Sequence, residues 1–213
     1  MSQVERWTRD GVVAIVRLDD LSPAVALTEA LIAGGVTTIE FTYTNPLAGQ
    51  VITEVRAAVG DRAAIGAGTV LDPETARAAI LAGSEFIVTP TLNPATIELC
   101  RRYSIPAVVG AFTPTEILTA WEAGASIVKV FPASVGGPRY LKDVKGPLPQ
   151  VKLIPTGGVS ADTAADFIKA GAEAIAAGSN LVDAKSVANA DWTTITTRAR
   201  ELSDIVAAAR ANM

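Results

Sequence analysis

One local pattern recurs four times in this 213-residue chain and limits the folds that it can adopt. An alanine-rich run typical of a helix is followed by Ala-Gly and then by a short segment typical of a strand. The four segments are "ALIAGGVTTIEF" (30–41), "AAILAGSEFIV" (78–88), "AWEAGASIVKVF" (120–131) and "FIKAGAEAIAAG" (167–178). Their glycines, Gly34, Gly83, Gly124 and Gly171, fall where a helix would end, and we expect each to adopt the left-handed conformation that ends helices.

The spacing of these segments predicts a barrel of parallel strands. Successive glycines lie 49, 41 and 47 residues apart, and each interval has room for about two strand–helix units with ordinary loops. Strands that alternate with helices form a parallel sheet, and eight such units close into a barrel. We therefore predict an α/β protein with a single domain over residues 1–213, a (β/α)8 TIM barrel with an extra N-terminal helix.

The same reading places each element along the chain. The predicted strands lie near 12–17, 36–42, 63–67, 85–89, 106–110, 126–131, 151–156 and 173–177. The predicted helices lie near 22–33, 46–59, 73–82, 94–103, 114–123, 138–143, 161–170 and 192–211. Capping signals at Ser22-Pro23, Asp72-Pro73 and Ser160 indicate where three of these helices begin.

The absence of histidine restricts the chemistry that the chain can perform. Without histidine, and with Cys100 as the only cysteine, Ser-His and Cys-His nucleophile pairs and the usual zinc ligand sets are excluded. We expect no metal and no cofactor, so acid–base work is left to carboxylates, lysine, tyrosine or bound water.

Charge and hydropathy exclude several kinds of partner. The formal net charge is −4 and the pI about 4.9, with no basic stripe, so we do not expect nucleic acid as a partner. No apolar run approaches the ~18 residues that a membrane span requires, and the N-terminus lacks the apolar core of a signal peptide. We expect a cytoplasmic protein without a membrane partner.

The segment "SIVKVFPAS" (126–134) places a lysine inside a predicted buried strand. Because side chains alternate along a strand, the valines beside Lys129 would pack against helices and turn the lysine into the barrel. The same alternation in "TIEFT" turns Glu40 inward. Barrel enzymes carry their reacting groups at the carboxyl ends of the strands, so this amine and this carboxylate are expected in one pocket.

This pair has both a functional and a structural interpretation. A desolvated lysine has a lowered pKa, and its neutral amine attacks carbonyls to form a Schiff base, with Glu40 placed to move protons. A buried structural ion pair, or a lysine extended to the barrel rim, would satisfy the same pattern. The other five lysines lie in polar or helical contexts, which favours the functional interpretation of Lys129.

Glycine-rich loops after the last two strands indicate an anion site. "TGG" (156–158) and "GSN" (178–180) stand where barrels often bind phosphate through backbone N–H groups. Ordinary turn glycines explain either loop alone, whereas both loops together in these two places favour a phosphate site.

These motifs resemble those of the 2-keto-3-deoxy-6-phosphogluconate (KDPG) and 4-hydroxy-2-oxoglutarate (KHG) class I aldolase family. The resemblance runs from about Gly11 to Val182 and rests on "GGVTTIEFTYT", "IGAGTVL", "FIVTP", "VKVFPAS", "PTGGV" and "GSNLV", in that order. It implies a lyase that reversibly cleaves a phosphorylated 2-keto acid, KDPG, into pyruvate and glyceraldehyde 3-phosphate. It also implies a homotrimer.

The resemblance implies a role for individual residues. Lys129 would form the Schiff base with pyruvate, and Glu40 would be the general acid–base. The remaining residues would bind substrate: Thr69, Pro90 and Phe131 at the pyruvate, and Thr156, Gly157, Gly158 and Ser179, with Gly178 in the same loop, at the phosphate.

One position departs from the family pattern. Many members carry an arginine in the second-strand motif that helps to bind the pyruvate carboxylate, and the matching position here is Thr44. Arg17, at the end of the first strand, is our candidate for the missing cation. Cleavage of KHG or of the 6-phosphogalactonate epimer stays open, as do a phosphate-binding isomerase and an engineered or divergent trimeric scaffold without a catalytic role.

Overall fold

The computed structural model describes residues 3–213, with side chains from Trp7 onward. The strands are β1 (Val12–Val16), β2 (Thr38–Thr42), β3 (Ala64–Gly68), β4 (Ile87–Val88), β5 (Ala107–Ala111), β6 (Ile127–Val130), β7 (Leu153–Pro155) and β8 (Ile175–Ala177). The helices are α1 (Gln3–Asp10), α2 (Ala24–Ala33), α3 (Ala48–Val59), α4 (Pro73–Leu81), α5 (Pro94–Arg102), α6 (Pro114–Ala123), α7 (Gly137–Lys145), α8 (Ala161–Lys169), α9 (Ala184–Ala188) and α10 (Trp192–Ala211). None of these helices is long and apolar enough to cross a membrane.

The eight strands form one parallel sheet that closes on itself. Each strand from β1 to β6 pairs with the next along the chain, and β8 pairs with β1. A bridge between Thr156 and Ala176 joins the ends of β7 and β8. The (β/α)8 barrel and its N-terminal helix α1 are therefore confirmed. The observed strand boundaries lie within two residues of the predicted ones.

Alternation along the strands divides the apolar side chains into two layers. In β1, Val12, Ala14 and Val16 belong to the outer core beneath the helices, whereas Val13 and Ile15 belong to the barrel interior. This period of two is what a strand buried on both faces requires, because each face needs its own apolar set.

The helix α1 contributes the Trp7 side chain to the barrel interior. Trp7 is 1% exposed and packs edge-on against Phe86, with ring centroids 4.9 Å apart. Phe86 immediately precedes β4, so the two rings close the amino-terminal end of the barrel. The opposite end, formed by the carboxyl ends of the strands, is left for a site.

One of the four repeated glycines does not adopt the predicted conformation. Gly83, Gly124 and Gly171 have the expected positive φ, but Gly34 has φ −85° and the following Gly35 has φ +90°. Gly34 is needed for a close approach instead. A Cβ there would stand 2.4 Å from Ala199 Cβ on α10, a contact between segments far apart in sequence.

Two further details differ from the prediction. Ser22-Pro23 is not a side-chain cap, because α2 begins after Pro23 without one and Ser22 N–H donates to Asp20 at 2.8 Å. The helix α9 was not predicted. Its signal was present in the sequence, since the Asp183 side chain caps this short helix by accepting a hydrogen bond from Ser186 N–H at 2.9 Å.

The close approach at Gly34 predicts a selective loss of stability. Gly34→Ala should lower the free energy of unfolding by about 1–3 kcal/mol, because the added methyl group forces α2 away from α10. Gly146→Ala is the matched control, since Gly146 also ends a helix with φ −54° and a Cβ there meets its nearest atom at 3.4 Å. Urea unfolding of both variants measures the difference, and equal midpoints would contradict the packing argument.

Candidate active site

Lys129 lies on β6 with its side chain inside the barrel, where it is 4% exposed. Its neighbours Val128 and Val130 pack in the outer core, so the strand period directs the amine inward. The Nζ atom stands 5.3 Å from the centroid of the Phe131 ring on the same face. Burial lowers the pKa of the Lys129 ammonium, Glu40 opposes this shift, and the positive charge of Arg17 adds to it.

Glu40 lies on β2 and is 2% exposed. Burial raises the pKa of its carboxyl above the usual value, while the positive charges of Lys129 and Arg17 act against that rise. A glycine makes room for the side chain, because a Cβ at Gly68 on the adjacent β3 would stand 2.6 Å from Glu40 Oε1. Among the side chains that the structure describes, from Trp7 onward, no carboxylate oxygen lies within 4.0 Å of Lys129 Nζ, so Lys129 and Glu40 do not form a salt bridge.

These shifts have a chemical consequence. An amine and a carboxyl group in an apolar interior both move toward their neutral forms, because the uncharged species lose less hydration on burial. The neutral amine is a nucleophile, and a carboxyl group of raised pKa both accepts and donates protons near neutral pH. The pair is therefore suited to attack on a carbonyl followed by proton transfer.

A cavity of about 250 Å³ opens above Lys129 at the carboxyl ends of the strands. It brings most of the predicted site residues together. Its lining consists of Ile15, Arg17, Lys129, Phe131, Thr156, Gly157, Gly158, Val159, Ala176, Gly178, Ser179, Asn180 and Val182. Glu40 lies below this cavity, against the same lysine.

One wall of the cavity is backbone with little side chain. Gly157 and Gly158 have φ +90° and +76°, which residues with a Cβ rarely adopt, and a Cβ at Gly158 would stand 2.6 Å from Ser134 Cβ. In the facing loop, Leu181 and Val182 N–H groups both donate to the Gly178 carbonyl, at 2.9 and 2.8 Å. The N–H groups at the start of a single helical turn have no partner within the turn, and N–H groups of this kind can donate to an anion.

Arg17 and Thr69 meet at the rim of the cavity. Arg17 Nη2 donates to Thr69 Oγ1 at 3.2 Å, and Thr69 has φ +55°. A β-branched residue in the left-handed region stores about 1–3 kcal/mol of strain, and such strain concentrates at functional positions. Thr69 therefore holds the guanidinium at the cavity mouth without lining the cavity itself.

Two further predicted residues lie away from the cavity lining. Thr44 is exposed in a neighbouring depression, and its hydroxyl pairs with that of Thr42 at 2.8 Å. Pro90 covers Gly110 on β5, where a Cβ would stand 2.2 Å from the proline carbonyl carbon. Sequence reasoning also missed the side chain of Asn180, which donates to the Val159 carbonyl at 2.8 Å and ties the two glycine-rich loops together. Its position in "GSN" was the available signal.

An eight-stranded parallel barrel with an inward lysine under a cavity at its carboxyl end has the arrangement of a barrel enzyme. Residues 4–198 match the family model described as KDPG and KHG aldolase. The chain belongs to this family of lyases.

Named relatives agree with this membership. A protein of Treponema pallidum named 2-dehydro-3-deoxy-phosphogluconate aldolase is 34% identical over 203 residues, covering 95% of this chain and 96% of the relative. One of Escherichia coli K12, named 2-dehydro-3-deoxy-6-phosphogalactonate aldolase, is 37% identical over 178 residues, covering 83% and 87%. A solved structure of KDPG aldolase from Legionella pneumophila, with pyruvate captured at low pH as a covalent carbinolamine intermediate, has TM-score 0.85 and 28% identity, covering 94% and 98%.

The electrostatics of the pair predict the effect of neutralising the carboxylate. Glu40→Gln should lower the pKa of Lys129 further, because Glu40 is the group that raises it against burial. The pH titration of the Lys129 ¹³Cε resonance measures this. Glu98→Gln is the matched control, because Glu98 is exposed on α5 and pairs only with Arg102. A Lys129 pKa that stays constant or rises in Glu40→Gln would contradict the coupling.

Proposed function

We propose that this chain is a class I aldolase that binds pyruvate as a Schiff base on Lys129 and reversibly cleaves KDPG. The observation that carries the proposal is one cavity with a buried amine at its floor and two glycine-rich loops in its wall. Such a cavity fits a substrate with a ketone at one end and a phosphate at the other. The names of the relatives support this choice of substrate.

The residues present account for each step of the cleavage. The Lys129 amine attacks the C2 ketone, and loss of water from the carbinolamine gives a protonated imine. The Glu40 carboxylate takes the proton of the C4 hydroxyl, and the C3–C4 bond breaks. The electron pair of that bond moves toward the protonated imine and converts it into an enamine. Glyceraldehyde 3-phosphate leaves, Glu40 returns the proton to C3, and hydrolysis of the imine releases pyruvate.

The two loops are proposed to hold the substrate phosphate. Backbone N–H groups of Gly157, Gly158 and Ser179 can approach an anion closely, since glycine leaves no side chain in the way. Gly178 begins the helical turn that presents Ser179, and Thr156 also lines the cavity, next to Gly157. This end lies beside Phe131, whose ring is 3.5 Å from the place that a Cβ of Gly157 would occupy.

Arg17 is proposed to bind the pyruvate carboxylate. It would take the role of the arginine that many family members carry at the position of Thr44. Its guanidinium lines the cavity, whereas Thr44 does not, and Thr69 fixes its position. Pro90 shapes the pyruvate site through the backbone that it lays over Gly110. A guanidinium is well matched to a carboxylate because it offers a pair of parallel N–H donors.

A second substrate is favoured by one comparison. The relative named 2-dehydro-3-deoxy-6-phosphogalactonate aldolase is 37% identical to this chain, so the 6-phosphogalactonate epimer is our second candidate.

The proposal includes the homotrimer that the family resemblance implies. The molar mass in solution tests it, and we expect three times the 22.0 kDa of one chain.

Covalent trapping tests the chemistry directly. Borohydride reduction with pyruvate should leave one 1-carboxyethyl group on the peptide that contains Lys129, because hydride reduces the imine to a stable secondary amine. Lys129→Met should abolish the adduct and reduce cleavage to the background rate, whereas the exposed Lys142→Met should behave like the wild type. If the folded wild-type protein gives no adduct after borohydride reduction with pyruvate, the result would favour an isomerase or a scaffold instead.

A coupled pyruvate-release assay on the same preparations then separates the substrates. The panel consists of KDPG, its 6-phosphogalactonate epimer and unphosphorylated 4-hydroxy-2-oxoglutarate. A higher kcat/KM for KDPG than for the other two supports the first choice. Preference for the epimer replaces it, and preference for the unphosphorylated acid would overturn the phosphate assignment.

The carboxylate anchor gives a separate prediction. Arg17→Gln should raise the KM for pyruvate by about 10- to 100-fold, since a hydrogen bond to a charged group contributes about 1.5–3 kcal/mol. The exposed Arg102→Gln on α5 is the control and should leave KM unchanged. An unaltered KM in Arg17→Gln would remove Arg17 from the site.

A further inference from the structure

A second, much smaller cavity lies beneath the Lys129–Glu40 pair. It measures about 10 Å³, and besides these two residues it is lined by Trp7, Thr156 and apolar side chains of the barrel interior. A buried water needs roughly 10–15 Å³ when volume is counted as the space open to its centre. The cavity therefore has room for about one water molecule.

Three polar atoms of the lining residues are buried and unpaired. Trp7 Nε1, Glu40 Oε1 and Thr156 Oγ1 have no hydrogen-bond partner among the described residues. Leaving such groups unpaired is costly, and buried polar groups in proteins are nearly always hydrogen-bonded. All three atoms belong to residues that line this one small cavity, which points to a shared polar partner.

The chemistry of the three atoms fits a single water. An indole N–H only donates, a carboxylate oxygen accepts, and a threonine hydroxyl does either. A water accepts from the first and donates to the other two, which gives the about three hydrogen bonds that buried waters usually make. Trp7 and Glu40 are not paired directly, since Trp7 Nε1 and Glu40 Oε1 both lack a hydrogen-bond partner among the described residues.

We propose that one ordered water occupies this cavity, accepting a hydrogen bond from Trp7 Nε1 and donating to Glu40 Oε1 and Thr156 Oγ1. Trp7 is thereby a positioning residue, and through it α1 supports the Glu40 carboxylate from the amino-terminal side of the barrel interior. The water site does not depend on the proposed function. Only its consequence for catalysis, through Glu40, rests on that function.

The water also links Trp7 to the ionisation of Glu40. A hydrogen bond to the carboxylate stabilises the charged form, and an N–H donor bound to the same water strengthens it by polarisation. The charged groups that act on Glu40 are Lys129 and Arg17, and neither is altered by a change at Trp7. Loss of the indole N–H should therefore raise the pKa of Glu40 above its wild-type value.

Two measurements on the full-length protein test the proposal. A crystal structure that shows ordered waters should contain one within hydrogen-bond distance of all three atoms, and an empty cavity would overturn the proposal. Trp7→Phe keeps a ring against Phe86 and removes the N–H, so the ¹³C titration of the Glu40 carboxyl should shift to higher pH. A wild-type titration curve in Trp7→Phe would overturn the link to Glu40.

The controls separate this effect from general packing and from catalysis. Trp121→Phe is the matched variant, because Trp121 is half-buried against the outer core and should leave the Glu40 titration unchanged. If Trp7→Phe does not fold, Thr156→Val removes an acceptor of the water at nearly constant shape. Its crystal structure should show the water at lower occupancy, and an unchanged water would overturn Thr156 as a partner. These titrations use the resting protein, so a failed borohydride trap would remove the aldolase and leave this result standing.

Discussion

An amine and a carboxyl group share an interior that is otherwise almost entirely apolar, and the chemistry of the barrel depends on this placement. Lys129 and Glu40 are both nearly fully buried, yet they form no salt bridge. Burying an ion costs several kcal/mol in real proteins, and a close pair would recover part of that cost. Without the close contact, burial moves each group toward its neutral form, which is the form that attacks and protonates carbonyl compounds.

Glycines on the inward face of the strands make space inside the barrel, in one case for the Glu40 side chain. Gly66, Gly68 and Gly110 face the interior, and in each case a Cβ would collide with a different neighbour. The Phe86 ring fills the place beside Gly66, the Pro90 backbone covers Gly110, and the Glu40 carboxylate occupies the space beside Gly68. The pocket is therefore built by omitting side chains from rigid strands, which holds the reacting groups more firmly than a loop would.

Local periodicity was sufficient to predict the fold and the orientation of Lys129 and Glu40, because both follow from alternation along a strand. Features that depend on contacts between distant segments could not be predicted. Gly34 was assigned a left-handed conformation from its position after a helix, but α10 packs against it and requires a glycine for space instead. Thr44 and Pro90 occupy motif positions of the predicted site, yet their side chains do not line the cavity, since loop geometry decides where they point.

The amino-terminal helix carries the last step of the argument. Trp7, on this helix, packs against Phe86. It also closes the end of the barrel remote from the open cavity, so bulk water reaches the Lys129–Glu40 pair from one side only. The low dielectric that lowers the pKa of the amine thus depends on a side chain outside the eight repeated units.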